Sequence, residues 1–106
     1  MLRLNPNCSV FLYSVPIDMR KSFDSLASLT AGVKVNALYV FFSRTRNKVK
    51  ILYWDEDGYA LWYKRLEAGT FRLSGAKENE QITGIDLKKI LSGMDFRRIK
   101  LQKNYK

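Results

Sequence analysis

Apolar and polar residues alternate with a period of two through the middle of the chain, which is the pattern of β-strands. Three such runs cover residues 38–43, 48–54 and 59–65, and loops of four residues separate them. Loops this short require neighbouring strands to run antiparallel, so the three runs predict a meander. Residues 70–73 would add a fourth strand, and residues 10–15 form a further β-favouring run that ends before a proline.

The alternation also assigns the side chains of the three central strands to two faces of the sheet. One face is apolar along almost its whole length: Leu38, Val40, Phe42, Val49, Ile51, Tyr53, Ala60 and Trp62. The other face mixes rings and aliphatic side chains with cations: Tyr39, Phe41, Lys48, Lys50, Leu52, Trp54, Tyr59, Leu61, Tyr63 and Arg65. This mixed face has two interpretations. It could stack on nucleic-acid bases, or it could be a second packed layer, covered by the later helix or by a subunit partner.

A helix is predicted before the central strands. Asp18 suits the N-cap of a helix over residues 19–31, and Gly32 would end it. One side of this helix is mainly apolar, and we expect it to pack on the apolar face of the sheet: Met19, Phe23, Leu26, Ala27 and Thr30.

Two cations fall in the first turn of that predicted helix, where the helix dipole disfavours positive charge. They are Arg20 and Lys21. One interpretation is that Asp18 and Asp24 neutralise them. The other is that they are placed there to contact a partner, because conflicts with local rules tend to collect at functional sites.

A second helix is predicted near the end of the chain, after a polar connector over residues 78–81. Thr83 and Asp86 have the spacing of a helix N-cap followed by an acidic residue, and Gly93 would end this helix. Its inward side chains would be Leu87, Ile90 and Leu91. The predicted fold class is therefore α+β, an antiparallel meander sheet of four or five strands with a helix packed on one face and a short C-terminal helix.

The length of 106 residues is enough for one domain, residues 1–106, that buries about two thirds of the surface of its unfolded chain. The single cysteine, Cys8, cannot pair within the chain, and the sequence has no secretion signal. No apolar run approaches the roughly 20 residues that span a bilayer. The sequence therefore predicts a cytoplasmic protein with no membrane partner.

Positive charge is concentrated in the second part of the chain. The formal net charge is +9, and residues 44–106 contribute +7 of it. Residues 96–106 form a basic tail with no acidic residue. A small, basic chain of this kind is typical of proteins that contact nucleic acid, so we expect contact with DNA.

The chemistry of the residues argues against catalysis. There is no histidine, so neither a Ser-His-acid triad nor a Cys-His pair can be assembled. Asp55, Glu56 and Asp57 form an acidic cluster, but with Gly58 they have the composition of a hairpin turn. The sequence therefore predicts no catalytic residue, no cofactor and no metal site, and the protein is not expected to be an enzyme. A weaker alternative is a nuclease that uses these carboxylates with those of Asp18 and Asp24.

Three segments carry a resemblance to a known family: Pro16-Ile-Asp-Met-Arg-Lys-Ser-Phe-Asp24, Val49-Lys-Ile-Leu-Tyr-Trp-Asp-Glu-Asp-Gly58 and Tyr63-Lys-Arg-Leu-Glu-Ala-Gly69. Together they resemble the small accessory transposition protein of insertion-sequence-66 type elements, the Orf2-like or TnpB type. The resemblance covers nearly the whole chain. It implies a bacterial mobile-element protein that acts beside a separate, larger transposase, which would carry out strand transfer. It implies no reaction for this chain.

The predicted function is that of a non-catalytic accessory protein for transposition, in contact with element DNA, with the transposase of the same element, or with both. The cations in the segments that carry the resemblance are the first candidates for contact: Arg20, Lys21, Lys50, Lys64 and Arg65. Further cations would add electrostatic attraction: Arg44, Arg46, Arg97 and Arg98. The alternative is a protein-interaction module that binds the transposase or a second copy of itself, as a homodimer, without contacting DNA. Its contact surface would be an aromatic face: Tyr39, Trp54, Tyr59 and Tyr63.

Overall fold

The computed structural model describes residues 8–73 and 80–92. Strands and helices alternate irregularly along this part of the chain. In chain order they are β1 (Ser9–Ile17), α1 (Phe23–Ala27), β2 (Ala37–Ser43), β3 (Lys48–Asp55), β4 (Gly58–Arg65), β5 (Glu80–Ile82) and α2 (Gly84–Leu91). Neither of these helices is long and apolar enough to cross a membrane.

The strands form one five-stranded sheet in the order β4-β3-β2-β1-β5. The β2-β3-β4 meander is confirmed, with Phe42 opposite Val49 and Trp54 opposite Tyr59. However, β1 runs parallel to β2, so the sheet is mixed and the prediction of a fully antiparallel sheet is wrong. Residues 18–36 form a crossover that contains α1 and returns the chain to the start of β1, and a crossover of this kind joins parallel neighbours.

The fifth strand comes from the segment that was predicted to be a polar connector. In β5, Ile82 lies opposite Val10 and Glu80 lies opposite Leu12, so this short strand covers the outer edge of β1. Residues 70–73, by contrast, are not a strand. They are fixed instead by Phe71, whose N–H donates to the carbonyl of Arg46 over 2.7 Å and whose ring is buried in the core.

The pairing places the side chains of β2, β3 and β4 on the two predicted faces, but the first helix lies on the face opposite to the one expected. The apolar face packs against Leu87 and Ile90 of α2. The mixed face buries Phe41 and Leu52 beneath Leu26 of α1. The prediction that the first helix covers the apolar face is wrong: α2 occupies that face, and the mixed face carries enough buried apolar side chains of its own to receive Leu26.

The first helix is also much shorter than residues 19–31, and its N-cap is Ser22 rather than Asp18. The carboxylate of Asp18 accepts a hydrogen bond from the N–H of Arg20 over 2.9 Å, and its carbonyl accepts one from the N–H of Lys21 over 3.0 Å. These bonds close a turn before the helix begins. Arg20 and Lys21 therefore lie outside the first helical turn, and the expected conflict with the helix dipole does not arise.

The second helix follows its prediction closely within the described residues. The hydroxyl of Thr83 accepts a hydrogen bond from the N–H of Asp86 over 3.0 Å, and Leu87 and Ile90 are fully buried. The helix ends at Leu91 with Ser92 as its C-cap. The predicted stop at residue 93 and the basic tail lie outside the described residues.

Candidate nucleic-acid interface

A cleft of about 480 Å³ opens at one end of the sheet. Its walls are the end of β1, the turn over residues 18–21 and the hairpin that joins β2 to β3. Arg20 reaches it from the turn, and Arg44 and Lys48 reach it from the hairpin. Folding therefore brings together cations from two distant segments, and two of them, Arg20 and Arg44, are among the predicted contact residues. We call this group, with Thr45 of the same hairpin, the basic cleft.

Lys48 was not among the contact residues predicted from the sequence. The only available signal was its position, one residue after the hairpin loop and on the same face as other cations. Alternation along a strand shows which face a side chain occupies but not which loop lies beside it.

An ion pair orients Arg20. Its guanidinium donates to both carboxylate oxygens of Asp18, with a shortest N–O distance of 2.7 Å, yet the Arg20 side chain is 91% exposed. The hydrogen bonds from Arg20 hold the pKa of Asp18 well below its usual range, and the same pair raises the pKa of Arg20. The guanidinium is thus directed by Asp18 while most of its surface remains accessible to a ligand.

Lys50 supports the turn from inside the protein. Its side chain is only 8% exposed, and its ammonium donates to the carbonyls of Met19 and Lys21, both over 2.7 Å. The ring of Tyr63 lies 5.1 Å from the ammonium. Lys50 was a predicted contact residue, but the structure places its charge behind the basic cleft, where it holds the backbone that carries Arg20.

The hairpin between β2 and β3 is fastened to β1 through Arg46. This residue has a positive φ of 61°, and its guanidinium donates to the carbonyl of Ser14 over 2.7 Å and lies 5.9 Å from the ring of Phe42. Burial lowers the pKa of Arg46. Its charge is therefore turned inward, whereas that of Arg44, two residues earlier, is exposed.

The remaining predicted cations are spread over the molecule. The ammonium of Lys64 donates to the carbonyl of Leu91 over 3.0 Å, at the C-terminal end of α2, where a cation is favourable. Arg65 forms an exposed ion pair with Glu67 at 3.1 Å. The side chain of Lys21 is half-buried beside a second, smaller pocket. Arg97 and Arg98 lie outside the described residues.

The four predicted aromatic residues do not form one surface. Tyr39 is buried, and its hydroxyl donates to the carbonyl of Gly32 and accepts from the N–H of Lys34. Trp54 and Tyr59 are 37% and 39% exposed and meet edge to face at 5.3 Å, and Tyr63 is 52% exposed. The mixed face is thus a packed layer around Tyr39 and an accessible surface along β4.

The acidic cluster lies at the tip of the hairpin between β3 and β4. Asp55 pairs with Gly58, so the loop proper is Glu56 and Asp57, tighter than the predicted four residues. Glu56 carries the positive φ, at 58°, and Gly58 does not. Within residues 8–73 and 80–92, no group of three or more acidic or cysteine side chains has a geometry that could hold a metal ion.

A second pocket of about 320 Å³ adjoins the basic cleft and shares three residues of the turn region with it. Its walls are mainly apolar: Tyr13, Val15, Pro16, Ile17, Leu29 and Phe41. Val15 and Leu29 are 53% and 43% exposed. We call this feature the apolar pocket. A cleft lined by three cations and an apolar recess therefore lie side by side at one end of the sheet.

Comparison with known proteins places this chain in a family. The model of the family described as "IS66 Orf2 like protein" matches residues 8–101. The uncharacterized protein y4hO of Sinorhizobium fredii is 34% identical over 103 residues, which cover 92% of this chain and 90% of that protein. The uncharacterized protein y4jC of the same organism is 23% identical over 97 residues, which cover 86% of this chain and 83% of that protein.

No solved structure matches the chain significantly. The family match includes the turn over residues 18–21 and both hairpins that shape the cleft and the acidic tip. It confirms the resemblance carried by the three sequence segments. The chain therefore belongs to the IS66 Orf2-like family of accessory proteins associated with insertion sequences.

Proposed function

We propose that this protein is a non-catalytic transposition factor that holds element DNA in the basic cleft. The observation that carries the proposal is the convergence of Arg20, Arg44 and Lys48 on one opening. Arginine matches the oxygens of a phosphate with paired N–H donors, and lysine supplies a point charge. The hydroxyl of Thr45, at the same wall, donates its proton to Asn47 Oδ1 over 2.6 Å and is not a donor to phosphate. The three cations are the groups that suit a phosphodiester backbone.

Contacts of this kind fix the position of DNA and carry no sequence information. The described part of the chain presents no long basic helix that could enter a major groove, because α1 has only five residues and α2 packs on the apolar face. We therefore expect affinity that depends on the number of phosphates neutralised and falls steeply as salt is added.

The double variant Arg44→Gln, Lys48→Gln is expected to bind duplex DNA more weakly and to lose about 0.9 from the log-log salt slope for each phosphate contact removed. Fluorescence anisotropy with a labelled element end, at rising salt, measures both quantities. The matched control is Lys88→Gln, Lys89→Gln, which removes the same charge from α2 on the opposite side of the sheet. Equal losses in the two double variants, or no binding by the wild type at low salt, would contradict the proposal.

The apolar pocket supports a second candidate function, contact with the transposase. An accessible recess lined by Val15, Leu29 and Phe41 fits an apolar side chain better than it fits phosphate. On this hypothesis the pocket receives the transposase while the neighbouring cleft receives DNA.

The variant Val15→Asp separates the two candidates. Val15 is 53% exposed, so the charge should leave the fold intact, but it would place a carboxylate at the mouth of the apolar pocket. The measurement is a pull-down of the transposase, with and without element-end DNA. If the pocket is the contact, the Val15→Asp variant should capture at least about tenfold less transposase than the wild type, which is equivalent to roughly 1.4 kcal/mol of binding free energy. Full capture by the Val15→Asp variant in the absence of DNA would exclude the pocket as the docking site.

A further inference from the structure

Strand β4 is an edge of the sheet. It extends over eight residues, Gly58–Arg65, and contains no proline. Among the described residues, no strand pairs with its outer side. A long edge strand presents a row of backbone donors and acceptors that can pair with another strand, unless bulges, proline or charge prevent it.

One hydrogen bond shows which residues of β4 direct their backbone groups outward. The N–H of Leu66 donates to the carbonyl of Asn47 over 2.8 Å, so these two opposite residues form a hydrogen-bonded pair. Hydrogen-bonded and non-hydrogen-bonded pairs alternate along an antiparallel ladder. The even-numbered residues of β4 therefore bond to β3. The odd-numbered ones direct N–H and C=O to the free edge: Tyr59, Leu61, Tyr63 and Arg65.

Charge is distributed unequally along this edge. The acidic hairpin tip, with Asp57, lies at one end, and Lys64 and Arg65 lie at the other. A second copy of the strand running antiparallel would bring each acidic end beside a basic end. The edge is thus complementary in charge to a copy of itself, and a parallel arrangement would oppose like charges.

We propose that β4 pairs with β4 of a second copy of this chain, antiparallel and centred on Leu61, so that one continuous sheet crosses the two copies. In this register Leu61 bonds with its own counterpart, Tyr59 lies opposite Tyr63, and Asp57 lies opposite Arg65. A shift by two residues in one direction would place Asp57 opposite Glu67, which is a repulsive pair, and a shift in the other direction would place Asp57 opposite Tyr63, without the ion pair to Arg65. Charge therefore favours the register centred on Leu61.

The rings add to the same pairing. Tyr59 and Tyr63 are accessible and lie on one face of β4. Tyr59 of each copy therefore lies opposite Tyr63 of the other copy. Arg65 exchanges its exposed ion pair with Glu67 for one with Asp57 of the second copy, at little cost because both groups remain near solvent. The surface is independent of the basic cleft, so this inference does not rest on the proposed function.

The first test is the mass of the protein in solution. Sedimentation equilibrium in reducing buffer, at roughly 100 μM protein, should show a dimer. Tyr63→Pro removes one outward N–H without removing a bond to β3, and it should weaken association by about tenfold or more. Tyr63→Val keeps that N–H and is the matched control, which should remain dimeric. A monomeric wild type, or an equally strong dimer in the proline variant, overturns the proposal.

The second test fixes the register with exposed residues that can be changed without unfolding. In a dimer of the Arg65→Glu variant, two carboxylates would lie opposite each other at both ends of the pairing. In a dimer of the Asp57→Lys variant, two cations would lie opposite each other at the same positions. Each variant should therefore be mainly monomeric. In an equimolar mixture of the two variants, the Arg65→Glu copy is acidic at positions 57 and 65, and the Asp57→Lys copy is basic at both positions. Pairing one of each restores opposite charges, so the mixture should form a heterodimer. Failure of the mixture to associate while the wild type does so overturns this register, and selective binding of another protein's strand to β4 overturns the choice of partner.

Discussion

Lys50→Met is expected to lower the free energy of unfolding by about 2–4 kcal/mol. The methionine keeps the aliphatic stem but leaves the carbonyls of Met19 and Lys21 without the donor that now bonds to both. The contact of the ammonium with the ring of Tyr63 is lost as well. Urea unfolding monitored by tryptophan fluorescence measures the change.

A matched control is available two residues earlier. Lys48→Met removes the same charge from the same strand, but its side chain is only half-buried and lies at the mouth of the cleft, so stability should change by less than about 0.5 kcal/mol. On the proposed function, the two variants should weaken DNA binding for different reasons. Lys48→Met would remove a proposed contact, whereas Lys50→Met would release the turn that positions Arg20. Equal stability of Lys50→Met and the wild type would show that the turn does not depend on this ammonium.

Leu26→Ala is expected to cost about 2–5 kcal/mol. Leu26 is the only buried residue of α1, and it packs on Tyr39, Phe41 and Leu52. A helix of five residues has no stability of its own in water, so α1 depends on tertiary contacts, and Leu26 supplies the buried one. The loss should lower the melting temperature by at least about 8 °C, since each kcal/mol is worth roughly 4–8 °C in a domain of this size.

Phe23→Ala is the control for that prediction. Phe23 belongs to the same helix and is larger, but it is 43% exposed, so its truncation should cost less than half as much as that of Leu26. A melting temperature that falls equally in the two variants would contradict the assignment of Leu26 as the anchor. It would indicate that α1 is held through both side chains.

The local part of the fold was predictable from the sequence. Short loops and strict alternation determine the β2-β3-β4 register, so Phe42 lies opposite Val49 and the two faces have the predicted members. The cap of α2 was equally local, since Thr83 and Asp86 are three residues apart. The parallel pairing of β1 with β2 was not predictable in this way, because it depends on the path of the whole crossover rather than on any neighbouring residues.

The candidate site shows the same division. Arg20 and Arg44 could be selected from their charge and from the family resemblance. Lys50 was selected by the same rule, but alternation along β3 gives no information about the turn that lies over it and binds its ammonium. Asp18 was expected to cap a helix. It closes a turn instead, because the carboxylate of Asp18 accepts a hydrogen bond from the N–H of Arg20 two residues away. The position of Lys50 thus depends on a contact between distant segments, whereas the turn at Asp18 is a local contact that competes with helix capping.

The position of β1 inside the sheet has a consequence for how the chain is assembled during synthesis. β1 is made before all the other strands, yet its two neighbours are β2 and β5. The meander can close as soon as its own residues are available, because its loops are short. The other edge of β1 stays unpaired until Glu80–Ile82 have been synthesised and can form β5. At about 5–20 residues per second, these residues are made several seconds after β1. During that interval the nascent chain exposes the unpaired edge of β1, an apolar strand. Chaperones or a neighbouring nascent chain would have access to this edge before β5 covers it.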